Sequence, residues 1–269
     1  MIDPVVGPDF VRAHSDRVVL ADVRYYLDGR SGRAAYEGGH LPGAIFVDLD
    51  TDLAAHAEPA QGRHPLPSPE AFAERMADLG LSDDTIVIGY DDAGGVMAAR
   101  LVWMLRATGH DAALLDGGLD AYREKLETAT PRRARGSFEA RPWPSERLAD
   151  VEDATSAEFV VLDARQPERF RGETEPIDPR AGHIPGARSL PTRENVDAAG
   201  LFLPPAELRE RFVAVGVTDG ATVVSYCGSG VTACHNLLAL ERAGFAPGRL
   251  YPGSWSQYSA TDRPAATGD

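Results

Sequence analysis

Cys227 opens the run Cys-Gly-Ser-Gly-Val-Thr-Ala at 227–233, between a β-rich stretch ending at Tyr226 and a helical pattern beginning near Val231. A cysteine at that junction sits under a helix N-terminus, where unpaired N–H groups and the helix dipole favour negative charge. Gly228 and Gly230 let successive N–H groups curl inward as an anion-binding nest. Such surroundings favour the thiolate, which is the nucleophilic form of the side chain. Thiolate attack on a sulfur atom leaves a persulfide, and the same donors hold that anion. The ordinary alternative for a free cysteine is burial as a small core residue. The glycines and the junction separate Cys227 from that role, whereas Cys234, two helical turns on, is read as core.

The bulk composition narrows the partners. These are the two cysteines of the chain, so there is no disulfide framework, and their spacing is not that of a zinc site. The formal charge of −14 repels nucleic acid and anionic membranes, so neither is an expected partner. An anionic substrate must then be held by locally placed arginines or backbone donors. No run approaches the roughly 18–20 apolar residues of a membrane helix. The opening Met-Ile-Asp-Pro-Val-Val-Gly-Pro has neither a basic nor an apolar leader segment, so a cytoplasmic protein is expected.

The elements that must position the cysteine occur twice. Val-Val-Leu-Ala-Asp-Val-Arg at 18–24 and Gly-His-Leu-Pro-Gly-Ala at 39–44 return as Val-Val-Leu-Asp-Ala-Arg at 160–165 and Gly-His-Ile-Pro-Gly-Ala at 182–187. The strand-like runs before Asp91 and Cys227 match, as do 116–122 and 252–258, and both pairs are offset by 136 residues (227 − 91 and 253 − 117). So long a period means duplicated domains rather than a solenoid. Val18–Leu20, Ile86–Ile88, Phe159–Leu162 and Val223–Val224 read as buried strands. Ser68–Leu79 reads as a helix capped by Ser68, with Ala71, Phe72, Arg75 and Met76 at helical spacing, and Val231–Ala243 as another, ended by Gly244. The alternation predicts an α/β fold: in each copy a mostly parallel sheet flanked by helices on both faces. The expected division is an N-terminal domain at 1–126, a Pro- and Arg-rich linker at 127–150, and a C-terminal domain at 151–269.

The Gly-His-Ile-Pro-Gly-Ala box, the Asp-x-Arg strand end and the Cys-Gly-Ser-Gly-Val-Thr loop resemble tandem-domain rhodaneses over about 16–258. Within them the loop is most similar to 3-mercaptopyruvate sulfurtransferases. The resemblance implies two rhodanese-like domains. The first is catalytically silent, with Asp91 at the cysteine position, and the second carries a persulfide on Cys227. Thiosulfate-type members put Arg and Lys directly after the cysteine; here Gly228 and Ser229 occupy those places, and a neutral loop with a hydroxyl suits a keto acid. The resemblance further implies a Ser-His-Asp arrangement of Ser229, His64 and Asp52, with Asp50 as the alternative to Asp52, and His and Asp drawn from the N-terminal domain. Arg169 matches the family's carboxylate-gripping position, Arg180 is a second clamp, and Gly228, Gly230, Val231 and Thr232 form the binding loop. Asp163/Arg165, echoed by Asp22/Arg24, and His40 and His183 occur in both copies and are read as structural, with Tyr226 and Trp255 supporting the pocket.

The expected activity is transfer of sulfane sulfur from 3-mercaptopyruvate through Cys227 to cyanide, a small thiol or a thioredoxin-like protein, with no metal or organic cofactor. Thiosulfate as donor is the alternative within the class. A cysteine phosphatase would need an arginine six positions after Cys227, where Ala233 stands. A non-enzymatic sulfur-carrier or interaction module is the remaining alternative, and the intact cysteine loop argues against it.

Overall fold

The computed structural model describes residues 1–121 and 125–269; Tyr122, which ends the first copy's 116–122 stretch, lies outside them. The chain forms two compact units. One comprises Met1–Ala55, Pro67–Trp143 and Val196–Phe202, and the other His56–Leu66, Pro144–Asn195 and Leu203–Asp269.

The first unit holds β1 (Val5–Val6), β2 (Val18–Asp22), β3 (Ile45–Phe46), β4 (Ile86–Tyr90) and β5 (Ala112–Leu115), in sheet order β1-β5-β4-β2-β3. The second holds β6 (Val160–Asp163), β7 (Arg188–Ser189), β8 (Val223–Tyr226) and β9 (Arg249–Leu250), in order β7-β6-β8-β9. Every ladder is parallel. Strands covered by helices read as continuous apolar runs, which is how β4 and β8 appear in the chain. Both central ladders share one register: Asp22 lies opposite Tyr90, and Asp163 opposite Tyr226. The residue that follows the tyrosine, Asp91 or Cys227, therefore leaves its sheet at the carboxyl edge, where α/β sheets place their sites.

The same devices brace that edge in each copy. Arg24 forks onto Asp22 (2.7 Å) and donates to the Gly39 carbonyl at 2.8 Å. Arg165 forks onto Asp163 (2.7 Å) and donates to the Gly182 carbonyl at 2.6 Å. The box histidines bind a backbone carbonyl through Nδ1 and stack on an aromatic ring: His40 with Tyr36 and His183 with Phe170. The Tyr90 and Tyr226 hydroxyls accept the N–H of the residue after each histidine, Leu41 and Ile184.

The helices depart from expectation in detail. The helix Pro69–Asp78 is capped by the Ser68 hydroxyl, which accepts the Ala71 N–H, but Ala71 and Arg75 are exposed and the buried stripe is Phe72, Ala73, Met76 and Ala77. The helix after Cys227 spans Ala233–Arg242, starting two residues later than the pattern predicts, because residues 227–232 form the loop itself. The segment read as a linker also differs. Residues up to Trp143 belong to the first unit, where Gly136 donates to the Ala77 carbonyl and the Trp143 indole to the Pro67 carbonyl.

Each unit also incorporates an arm from the other half of the sequence. His56–Leu66 belongs to the second unit and Val196–Phe202 to the first. In the first unit, Val196 lies 3.3 Å from where a Cβ on Gly94 would stand, and Leu201 lies 2.9 Å from that of Gly117.

Candidate active site

Cys227 is 2 % exposed and its backbone is held on both sides. Its N–H donates to the Ser254 hydroxyl at 3.1 Å, and its carbonyl accepts the Trp255 N–H at 3.0 Å. The Gly230 N–H donates to the sulfur at 3.1 Å. Gly230 reaches this geometry at φ +75°, and a Cβ there would meet the Pro252 carbonyl oxygen at 2.6 Å, so the turn requires glycine. Gly228 presents its carbonyl to the Ser256 N–H at 2.9 Å. Val231 and Thr232 lead into the helix, their carbonyls accepting the Cys234 and His235 N–H groups. The Cys234 thiol is fully buried and donates to the Gly230 carbonyl.

The first copy shows how this loop holds a carboxyl group, whose pKa burial pushes up in spite of its N–H donors. Asp91, fully buried, accepts the N–H groups of Ala93 (2.8 Å) and Gly95 (2.7 Å) on one carboxylate oxygen. The other oxygen accepts those of Met97 (2.8 Å) and Ala98 (3.0 Å). Adding the 136-residue offset, these donors correspond to Ser229, Val231, Ala233 and Cys234. The first loop is filled by its own carboxylate, whereas in the second the Gly230 N–H donates to the thiol sulfur.

The arm 56–66 carries two cationic or ionisable side chains to that thiol loop. His64 Nδ1 lies 2.8 Å from the Ser229 hydroxyl. The arm is fastened by the Arg63 N–H donating to the Ser256 hydroxyl (3.1 Å) and by the Gln257 amide donating to the Ala60 carbonyl (2.7 Å). At Gly62 a Cβ would meet the Gly253 oxygen at 2.5 Å, which lets the arm lie flat. His64, expected from the N-terminal domain, thus belongs to the second compact unit together with Ser229. Asp52 lies in the first unit, at the end of the short helix Leu49–Asp52, and accepts the Asp48 N–H (2.8 Å) and the Thr51 hydroxyl (3.3 Å). Burial holds its carboxyl above the ordinary value in spite of the Asp48 N–H. Asp50, in the same helix, is exposed.

Two guanidinium groups stand beside Gly228: a Cβ there would lie 3.0 Å from Arg63 Nη2 and 3.6 Å from Arg169 Nη1. They end a chain of alternating charges. Asp163 pairs with Arg165, Arg165 with Glu175 (3.2 Å), and Glu175 with Arg169 (2.6 Å). Arg169 then pairs with Asp178 (3.3 Å), and Asp178 with Arg63. The two middle carboxyls shift in opposite directions. Burial works to raise Glu175, but the Arg169 fork and the N–H groups of Asp178 and Ile177 outweigh it and hold the group below its usual range. Burial raises Asp178, and the attraction of Arg63 and Arg169 does not cancel it.

Arg180, expected as a second clamp, has another role. Its three nitrogens donate to the carbonyls of Ser259 (2.8 Å), Arg263 (2.8 Å) and Tyr258 (3.1 Å), tying down the chain after the helix Ser254–Tyr258. A guanidinium occupied by three backbone carbonyls is not poised for an external anion. Arg171 pairs with Glu173 at the surface. Tyr226 and Trp255 are buried, with the Arg165 guanidinium 4.7 Å over the Trp255 ring, so they support the site from behind.

Arg63 and Ser254 escape a reading by residue type. Arg63 reaches the loop only through the path of the arm, which no local pattern encodes. Ser254 left a signal in the repeat. Its counterpart, Gly118, has φ +54°, and Ser254 adopts φ +52°, where a side chain is strained. A serine in a glycine's place provides the hydroxyl that holds the Cys227 N–H.

The geometry can be set beside known proteins. The model of the rhodanese-like domain matches residues 9–125 and again 146–261. A Pseudomonas aeruginosa protein provisionally named 3-mercaptopyruvate sulfurtransferase is 44% identical, covering 94% of this chain and 93% of its own. A Mycobacterium tuberculosis protein, provisionally named thiosulfate sulfurtransferase, is 39% identical over 94% of this chain and 92% of its own. The crystal structure of a 3-mercaptopyruvate sulfotransferase from Escherichia coli superposes with a TM-score of 0.83 at 34% identity, covering 94% of this chain and 99% of that one. The chain belongs to the rhodanese family, with two rhodanese-like domains. It is a sulfurtransferase, and its substrates are small molecules. No helix among the described residues is long and apolar enough to cross a membrane.

Proposed function

We propose that the protein transfers sulfur from 3-mercaptopyruvate, with Cys227 as nucleophile and Ser229 and His64 as the proton-handling pair. The observation that carries this reading is the Ser229 hydroxyl 2.8 Å from His64 Nδ1, two residues from Cys227. Breaking the carbon–sulfur bond of a mercapto keto acid leaves an enolate that needs a proton, whereas sulfite leaving thiosulfate needs none. A hydroxyl coupled to an imidazole serves the first reaction.

The Cys227 thiolate attacks the donor's sulfur while its carboxylate rests against Arg169 and Arg63, since a guanidinium fork suits that group. A sulfur–sulfur bond forms, and the carbon–sulfur electrons pass into the enolate of pyruvate. Ser229 gives the enolate carbon its proton and recovers one through His64. The persulfide loses its own proton and is held by the loop N–H groups, beginning with Gly230. A second nucleophile, cyanide in an assay and a small thiol or thioredoxin-like protein in the cell, then removes the outer sulfur.

The test compares kcat/KM for 3-mercaptopyruvate and thiosulfate in the wild type, with Cys227→Ser as the blank. A preference for mercaptopyruvate supports the assignment. A preference for thiosulfate overturns the donor, and equal rates in wild type and Cys227→Ser would sink the persulfide mechanism.

A further inference from the structure

We infer that Asp178 sets donor selectivity by neutralising the Arg63–Arg169 pair, so that the site accepts a monoanionic donor in preference to a dianion. The inference rests on the sulfur-transfer reading of this site, and it concerns the discrimination between donors rather than which donor the cell supplies.

Arg63 and Arg169 are the two cations nearest Gly228, and both pair with the Asp178 carboxylate, whose side chain is 3 % exposed. Along the chain of pairs the charges cancel: Arg63, Arg165 and Arg169 against Asp163, Glu175 and Asp178. An incoming donor therefore meets a neutral cluster. One added negative charge is held by hydrogen bonds from the two guanidinium groups; a second has no excess cation to answer it. The arrangement is particular to this arm and loop. The positions straight after the nucleophile are uncharged, and Arg180, the other arginine of the segment, is committed to backbone carbonyls. Arg63 arrives from the arm instead, and its side chain keeps a third of its surface exposed. Asp178 stands within a stretch without regular structure, where the Glu175 carboxylate accepts its N–H at 3.1 Å. The acid is thus held by its backbone as well as by its cations.

Asp178→Asn keeps the shape and removes the charge. Thiosulfate kcat/KM is expected to rise about tenfold, and mercaptopyruvate kcat/KM by about threefold at most, because one unit of unopposed positive charge acts on two negative charges rather than one. Most of the change lies in KM. Asp178→Glu, which restores the charge, returns the donor ratio to the wild-type value. Arg63→Gln, at a partly exposed side chain, leaves the cluster one positive charge short; it raises KM about tenfold for thiosulfate and about threefold for mercaptopyruvate, and carries the test even if Asp178→Asn does not fold. A donor ratio within twofold of wild type in folded Asp178→Asn, or in Arg63→Gln, overturns the inference. Because each variant is read as a ratio against wild type, these outcomes are separate from which donor the wild type prefers.

Discussion

The Gly230 N–H points at the Cys227 sulfur from 3.1 Å, and the carbonyl of the same glycine accepts the Cys234 thiol. One residue thus joins the reactive sulfur to the buried helix behind it. Gly230→Ala forces a Cβ into the Pro252 carbonyl at a positive φ. We expect at least a hundredfold loss of kcat/KM with both donors, on the scale of removing a preorganised anion donor. Steady-state kinetics with a circular-dichroism control for folding measures it.

Ser229→Ala separates the two donors. Loss of a positioned proton donor costs about 10²–10⁴-fold where a proton must be delivered, so mercaptopyruvate turnover falls on that scale while thiosulfate turnover changes by less than about fivefold. His64→Gln shows the same asymmetry. An equal fall with both donors would remove Ser229 from proton transfer.

Asp91 is predicted to be a structural residue. Replacing it by Ala strands four N–H donors, two of them buried, at a cost of about 3 kcal/mol in denaturant unfolding. Asp91→Cys in a Cys227→Ser background is expected to stay inactive. The arm beside the first loop brings Val196 and Leu201 where the second receives Arg63 and His64.

Glu175→Gln carries a pH signature. The folded carboxyl lies below its ordinary value of 4.5, so its contribution to stability is present above that value and is lost as pH falls through the depressed one. The variant should be about 2 kcal/mol less stable than wild type at neutral pH, since it leaves Arg165 and Arg169 undercompensated. The two stabilities should converge in acid, once the pH has fallen through the depressed pKa. Urea unfolding at both pH values decides it.

Arg180→Met tests the corrected role of that arginine. Three lost bonds to carbonyls lower the unfolding midpoint by about 1–3 kcal/mol, while the donor KM stays within about twofold. Arg169→Met does the reverse, raising the KM for mercaptopyruvate at least tenfold.

How much of this was legible in the chain follows from the range of each signal. The duplication, both central strands and the cysteine loop are local patterns, and they appear where the residues put them. Ser229, His64 and Arg169 are also brought to one unit, although His64 was expected to stand with the first domain. Arg63 and Arg180 show where the reading stops. Both are arginines near prolines, and only the fold determines that one faces the loop and the other a row of carbonyls. The helix after Cys227 starts two residues late because the anion-holding turn uses those residues, a competition that helical periodicity does not register.

The exchanged arms bear on how such a protein can be inherited. A break anywhere between residues 67 and 143 would give a downstream polypeptide with Cys227 but without Arg63 and His64, so on the proposed mechanism the second half of the gene would not encode a complete enzyme. The first copy, which carries Asp91 where the second carries Cys227, could not then be discarded. Its reading frame still supplies the basic segment on which the other copy depends.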